Sequence, residues 1–192
     1  MSLLLDNFRE MASHFVISKN NEDNLVPIQN GEVLEQIRFL EQQLLAKHPG
    51  RFPLSLIYSH DFLFFVPNDG VVDFAMKRGV YEPFECNFFE QSCFPGNVVV
   101  DIGACVGLYS LVASRRVGET GKVIAVEPDS FNYAVLKCNS EVNDLTNIDM
   151  YPFAAGDREG LIPFYLSNAN AGDHRTVSPK ENTVKKVDVN CC

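Results

Sequence analysis

The sequence lacks any run of apolar residues long enough to cross a membrane, and it contains no internal repeat or low-complexity tract. The only early apolar run, Leu3-Leu4-Leu5, is broken at once by Asp6 and Arg9. It therefore lacks the charged start and long apolar centre of a signal peptide. From these absences we expect no membrane partner and a cytoplasmic location.

Positive charge is also scarce. The chain has 16 Lys and Arg residues against 25 Asp and Glu residues, which gives a formal net charge of −9 and a pI of about 4.9. A general nucleic-acid-binding surface needs an excess of cations to contact phosphates. The composition therefore predicts no nucleic-acid partner, although it leaves room for a local basic patch.

Metal-ligand spacing is missing as well. The six cysteines form no CxxC pair and no Cys/His cluster of the kind that holds zinc. We expect reduced thiols and no metal site. The hydrophobic fraction of 46%, with 15 Phe, is sufficient for a real core in one domain of 192 residues.

The most informative stretch is Asn97 to Ser110. Its valine run ends at Asp101, two glycines follow at 103 and 107, and an amphipathic run begins at Leu108. This pattern predicts a buried parallel strand, a tight turn and the start of a helix. Such turns lie at the carboxyl ends of strands, where open α/β sheets bind ligands.

A second apolar run, Val123 to Val126, ends at Glu127, which lies 127 − 103 = 24 positions after Gly103. In nucleotide-binding βαβ units roughly 20 residues separate the glycine turn from the acid that binds the ribose. A carboxylate suits that role because it has two acceptor oxygens and no donor. We therefore expect Glu127 to bind the two hydroxyls of a ribose.

Residue periodicity predicts the other elements along the chain. Helices are expected over 4–15, 33–44, 83–88, 108–116 and 130–142. Strands are expected over 54–58, 62–66, 71–75, 97–102, 122–127, 148–153, 161–166 and 183–190. The Asn68-Asp69-Gly70 segment predicts a hairpin turn, because Asp-Gly tolerates positive φ. Asp129 is expected to cap the helix that follows it.

The predicted fold class is α/β. Three parallel strands alternate with two helices in the spatial order 3-2-1, which is half of a doubly wound sheet and leaves its first strand at an open edge. An α+β extension precedes it. We divide the chain into a helical and hairpin extension, residues 1–78, and a ligand-binding core, residues 79–192.

The glycine pattern narrows the ligand. A GxGxxG turn favours the pyrophosphate of a dinucleotide, but here the pattern is Asp101-x-Gly103-x-x-x-Gly107, and the tight GxG is absent. Asp101 would repel a diphosphate and attract an ammonium group. An acidic, glycine-lined pocket fits S-adenosylmethionine, which is cationic and carries no phosphate. An NAD(P)-dependent oxidoreductase and a non-enzymatic interaction module are the alternatives.

The chain resembles a class I methyltransferase of the FkbM type. Three segments carry the resemblance: Val99 to Gly107, Val123 to Asp129, and Ala154-Ala155-Gly156-Asp157 with the strand that follows. The resemblance covers roughly residues 60–192. It implies a Rossmann-like core, S-adenosylmethionine as cofactor, and methylation of a hydroxyl on a sugar or small metabolite.

The resemblance also implies roles for particular residues. Ten cofactor contacts are expected: Gly103, Ala104 and Gly107 at the methionine and sugar, Asp101 at the amino group, Glu127 and Pro128 at the ribose, Phe153 and Ala154 near the adenine, and Tyr81 and Glu82 over the methionine end. Cys105 stands where the family usually has Asn, which alters one contact. No catalytic base is assigned.

The family pattern continues past this point with a fourth parallel strand that ends in Asp-x-Glu-Gly and with an antiparallel closing strand, and neither follows the last predicted strand, 183–190. We therefore expect a core that is incomplete at its carboxyl end, with much of the acceptor pocket and its activity in question. A homo-oligomer, or pairing with another chain through the open sheet edge, is the corresponding expectation for partners.

Overall fold

A three-stranded parallel sheet stands at the centre of the structure, a computed structural model that describes residues 31–167, 169–177 and 184–192. The predicted helix over 4–15 lies outside the described residues. The helices are α1 (Gly31–Lys47), α2 (Val72–Lys77), α3 (Pro83–Ser92), α4 (Leu108–Val117) and α5 (Ser130–Val142). The strands are β1 (Leu54–Ser59), β2 (Phe62–Pro67), β3 (Val98–Ile102), β4 (Lys122–Val126), β5 (Ile148–Tyr151), β6 (Gly160–Ser167) and β7 (Val184–Cys191).

The strands of the central sheet run in the order β3-β4-β5, and both pairs are parallel. This is the predicted 3-2-1 order, with β3 at an edge of the described sheet. The helices α4 and α5 make the two crossovers, and a right-handed crossover places both on the same face. The fold is the Rossmann-like core expected for a class I methyltransferase. No described helix is long and apolar enough to cross a bilayer.

Two antiparallel ribbons accompany the sheet. The first pairs β1 with β2, and the second pairs β6 with β7. One continuous core joins β2 and α2 to α4 and α5; among its most buried members are Phe62, Phe64, Phe65, Met76, Leu111, Phe131, Val135 and Leu136. The division of the chain at residue 78 stays a prediction.

The predicted hairpin at Asn68-Asp69-Gly70 and the predicted strand over 71–75 are wrong. The β1–β2 turn lies at His60 and Asp61, which both adopt positive φ, and the segment after Asp69 is the helix α2. The Asp69 carboxylate accepts hydrogen bonds of 2.8 Å from the backbone N–H groups of Val71 and Val72. An aspartate beside a glycine begins a helix in this way as readily as it makes a hairpin turn.

The strand β3 is not buried on both faces, so that prediction is also wrong. Val98, Val100 and Ile102 are 65%, 56% and 66% exposed. Val99, in contrast, is partly buried and packs against a small group of buried apolar residues that includes residues of α4. The reason is that both crossover helices, α4 and α5, lie on the same face of the sheet. No described helix therefore covers the other face of β3.

Helix α5 is fastened to the strand β2 by two asparagine side chains. The Asn139 amide donates to Phe65 O (3.0 Å) and accepts from Phe65 N (2.7 Å), and Asn143 binds both backbone groups of Leu63 at 2.7 and 3.0 Å. Four residues along a helix rise about 6 Å and two residues along a strand about 6.6 Å, so the spacings match. Asn139 also donates to Val106 O at 2.8 Å, which ties the glycine turn to β2.

We expect Asn139→Ala to lower the free energy of unfolding by about 2–4 kcal/mol, because it removes three hydrogen bonds to buried backbone groups. Chemical denaturation monitored by circular dichroism measures the change. Asn87→Ala, which removes an exposed helical asparagine with a single bond to Gln91, is the control and should change stability by less than about 0.5 kcal/mol. Equal effects of the two substitutions would contradict this role of Asn139.

Candidate functional site

The glycine turn after β3 uses its own N–H groups internally. Gly103 N and Ala104 N both donate to Val126 O, at 2.9 and 3.0 Å, and Gly107 N donates to Ala104 O at 2.8 Å. Gly103 and Gly107 have φ of +83° and +97°, a region that favours glycine. These three donors are therefore not available to bind a phosphate.

Glu127 joins this turn to the next helix. Its carboxylate accepts from Cys105 N (2.8 Å, Oε2) and from Asp129 N (2.7 Å, Oε1), and the residue is only 4% exposed. A carboxylate has about four lone-pair positions, so two remain for a ligand. The structure thus places the predicted acid directly beside the predicted glycine turn.

Burial destabilises the charged form of the Glu127 carboxyl. Burial raises its pKa from 4.5 to about 7, against the two backbone N–H bonds, which lower it, and the neighbouring carboxylates of Asp129 and Asp101 raise it further. A carboxyl group with a pKa near 7 binds and releases a proton in the neutral range. A donor from a ligand hydroxyl would stabilise its charged form.

Asp101 lies on β3 and accepts a 2.6 Å hydrogen bond from the Ser110 hydroxyl of α4. Burial raises the pKa of this carboxyl, and the Ser110 bond works against that shift. The backbone of Ser110 also hydrogen-bonds to this carboxyl, so Asp101 stands close to the start of α4.

Tyr81 and Glu82 lie at the start of α3, where Glu82 has a positive φ of 42° and stands at the N-cap position. The Tyr109 hydroxyl of α4 donates to Glu82 Oε2 at 2.7 Å. Burial, followed by the Glu82 carboxylate, raises the pKa of Tyr81 to about 12. A carboxylate and two phenols therefore lie together at the α3–α4 junction.

Pro128, Phe153 and Ala154 follow the ends of β4 and β5. Glu127 N donates to Tyr151 O at 3.0 Å, which aligns these two strand ends. The Phe153 ring packs against Tyr151, with centroids 5.6 Å apart, while Ala154 is buried and pairs with β7 through Asn190 O. The roles of all ten predicted contact residues stay predictions.

Sequence reasoning missed the residues that cover the turn. Ala171 O accepts from Asn132 Nδ2 at 3.1 Å, and Ala171 N donates to Asp69 Oδ2 at 2.8 Å. Asn132 is 2% exposed, and its Oδ1 is a buried side-chain oxygen with no hydrogen-bond partner in the described structure. No sequence signal identifies Asn132, whereas Asp69 was noticed only as a turn residue.

The site is acidic. Glu127, Asp129 and Asp69 all raise the pKa of the buried Cys105 thiol, with burial as the largest cause, so that Cys105 stays protonated. Within the described residues no group of three or more His, Cys, Asp or Glu is arranged to hold a metal ion. The arrangement favours a ligand that carries positive charge and hydroxyl donors.

We expect the carboxyl of Glu127 to destabilise the fold as it ionises. Its pKa is about 7 in the folded chain, against the ordinary glutamate value of 4.5, so the folded state holds the extra proton between these values. The stability of the wild type relative to Glu127→Gln should therefore fall as pH rises from about 4.5 to about 7 and stay level above it. Denaturation across this range measures the difference. Glu119→Gln, which removes an exposed carboxyl, is the control. A flat profile for Glu127→Gln would contradict the shift.

The two glycines of the turn should respond differently to alanine. A Cβ on Gly103 would meet nothing within 4 Å, so Gly103→Ala should cost only the strain of positive φ, about 1–2 kcal/mol. A Cβ on Gly107 would lie 2.4 Å from Cδ1 of the fully buried Leu136, so Gly107→Ala should cost at least about 1 kcal/mol more. Thermal unfolding compares them, and equal melting temperatures would count against this packing.

Comparison with known proteins assigns the segment that contains this site. Residues 101–191 match the methyltransferase FkbM domain. The chain is 40% identical over 65 residues to Ribosomal RNA large subunit methyltransferase E of Chromobacterium violaceum, covering 31% of this chain and 32% of that protein. The protein of the same name from Vesicomyosocius okutanii is 41% identical over 63 residues, covering 30% of each. The chain thus spans about a third of the length of these curated relatives.

Among solved structures, TYW2 of P. horikoshii in complex with MeSAdo is similar, with 15% identity and a TM-score of 0.44, over 78% of this chain and 64% of that one. The family match includes the glycine turn, Glu127 and the segment from Ala154 to β7 in one continuous stretch. Residues 101–191 of this chain are therefore similar to the methyltransferase FkbM domain, which supports a class I methyltransferase.

Proposed function

We propose that this chain binds S-adenosylmethionine and serves the transfer of its methyl group to a hydroxyl of a sugar or small metabolite. One observation carries the choice of cofactor. The N–H groups of Gly103, Ala104 and Gly107 already donate hydrogen bonds to backbone carbonyls. The acids Asp101 and Glu127 lie beside them. This arrangement suits a cationic nucleoside without phosphates and repels a dinucleotide.

The described residues fit such a ligand. Glu127 keeps two free lone-pair positions for the ribose hydroxyls, the position of a Cβ on Gly103 is open, and Asn132 Oδ1 is a buried acceptor without a partner. Asp101 would hold the ammonium group. Glu82, beside Tyr109, would lie toward the methionine end as a second negative charge.

When bound, S-adenosylmethionine supplies an electrophilic methyl carbon on a sulfonium. Transfer of that methyl group to an acceptor hydroxyl would give a methyl ether and would leave S-adenosylhomocysteine and a proton. The residues of this chain contribute binding and orientation, and positioning of this kind supplies much of the rate. No catalytic base is assigned among the described residues.

The acceptor is the part that the comparisons leave open. The two curated relatives are named for ribosomal RNA, and an RNA acceptor is therefore the second candidate. The net charge of −9 favours the small hydroxyl compound. A cytoplasmic location and the pairing with a second chain stay predictions from the sequence.

Calorimetric titration of the whole chain with S-adenosylmethionine, S-adenosylhomocysteine and NAD tests the proposal. We expect the first two to bind and NAD not to bind. Glu127→Ala should weaken binding at least about 100-fold, because two hydrogen bonds to a charged group are lost. Gly103→Ala should also weaken binding, since its methyl group enters the open space.

Glu119→Ala, which removes an exposed carboxylate just after the carboxyl end of α4, the end opposite to the glycine turn, is the matched control and should bind like the wild type. Circular dichroism establishes that each variant is folded. NAD binding alone, or equal affinity of wild type and a folded Glu127→Ala, would overturn the proposal. Methylation assays with sugar hydroxyls and with ribosomal RNA, run in parallel, then separate the two acceptor classes.

A further inference from the structure

Residues 169–177, here called the latch loop, lie over the glycine turn. Ala171 at its centre is 4% exposed. Its N–H donates to Asp69 Oδ2, and its carbonyl accepts from the Asn132 amide and, at 3.9 Å, from the Cys105 thiol. The latch loop therefore covers the same turn whose Cys105 N–H binds Glu127.

His174 holds the far side of the latch loop. Its side chain is 4% exposed. Nδ1 accepts a 3.0 Å hydrogen bond from Ser167 N, at the end of β6. Nε2 lies 3.8 Å from Asp129 Oδ2 and 3.2 Å from Arg51 Nη1, and Arg51 in turn forms an ion pair with Asp129. One imidazole thus contacts three separate segments of the chain.

The hydrogen bond from Ser167 fixes the protonation state of this ring. A backbone N–H can only donate, so Nδ1 must be unprotonated, and a neutral imidazole then carries its proton on Nε2. That proton lies between Arg51 Nη1, 3.2 Å from Nε2, and Asp129 Oδ2, 3.8 Å from Nε2. The close approach of Arg51 Nη1 to Nε2 is then a contact between two donors and not a hydrogen bond.

A second proton on His174 would disrupt this arrangement. It would have to enter at Nδ1, where it would face the Ser167 N–H donor, and the new charge would lie beside the Arg51 guanidinium. The charged groups around the ring are Asp129, Arg51, Asp173 and Asp69. Burial is the largest influence and lowers the pKa of His174, Arg51 lowers it further, and the three carboxylates oppose these effects.

Asp129 connects the latch loop to the candidate cofactor site. Its backbone N–H donates to Glu127 Oε1 at 2.7 Å, and its carboxylate accepts from Asn132 N at 3.0 Å. Asn132 in turn holds Ala171. Opening the latch loop at His174 would therefore release the cover over Cys105 and remove one of the groups that orient Asp129.

We propose that the latch loop closes the cofactor pocket while His174 is neutral and opens when His174 gains its second proton, so that His174 is a positioning residue that couples pH to the entry and release of the cofactor. The opening itself stands on the contacts of His174, and only its effect on the cofactor rests on the proposed function. The proton comes from solvent, and no covalent bond other than N–H changes.

Nuclear magnetic resonance of the four histidines tests the opening without any ligand. At pH 7 we expect His174 to be the Nε2–H tautomer, with a pKa below 6.5. As the pH is lowered from 6.5 toward that pKa, the hydrogen-exchange protection factors of the Ser167 and Ala171 amides should fall about tenfold per pH unit. The reason is that opening of the latch loop takes up one proton in this range. An Nδ1–H tautomer, or constant protection, would overturn the proposal.

Two variants distinguish pH-dependent opening through His174 from a purely structural role of its side chain. His174→Asn places an amide oxygen where Nδ1 accepts from Ser167, but it cannot titrate, so protection should become independent of pH. A pH dependence in this variant as large as that of the wild type would overturn the role of His174. His174→Gln retains a donor toward Asp129 but loses the Nδ1 acceptor, so protection should be low at every pH. His60→Gln, at the distant β1–β2 turn, should behave as the wild type does.

The release rate of S-adenosylhomocysteine completes the test. It should rise as pH falls below 6.5 in the wild type and not in His174→Asn. A rate that does not change with pH in the wild type would overturn the coupling to the cofactor. If S-adenosylhomocysteine fails to bind at any pH while the protection factors fall as expected, the proposed function is wrong. The opening of the latch loop on protonation of His174 is then still supported.

Discussion

A buried carboxylate that accepts two backbone N–H bonds organises the candidate site. Glu127 binds the N–H of Cys105 in the glycine turn and the N–H of Asp129 at the start of α5. Each of these segments also packs on the core, so the carboxylate fixes the distance between the turn and the helix. Burial raises the pKa of Glu127 by disfavouring the charged carboxylate. The two N–H bonds oppose this shift because they stabilise the charged form.

Much of the fold could be predicted because its main elements have strong local signals. The apolar runs of β3 and β4, the glycines between them and Asp129 before α5 indicate a βαβ unit by pattern alone. Patterns fail where one residue serves two kinds of turn, as Asp69 does. They also fail for the exposed face of β3, because a valine run carries no information about which helices cover it.

The candidate site was predictable in its centre and not at its margins. The turn at Gly103 and the acid at Glu127 belong to a recurring spacing, and the structure brings them into contact. Asn132, His174 and Arg51 follow no spacing, because their contacts join residues that are 39 to 123 positions apart along the chain. Only a folded chain shows that these side chains meet.

Asn139 of α5 and Asn143 at its C-cap have a consequence for the behaviour of the ribbon β1–β2. The outward N–H and C=O groups of Leu63 and Phe65 are the groups through which a further strand would extend the ribbon, and each is already satisfied by an asparagine amide. Two side chains one helical turn apart thus imitate the peptide groups of a neighbouring strand. The helix α5 therefore blocks this edge of β2 against strand addition from other molecules, which is a common route from an unpaired sheet edge to aggregation.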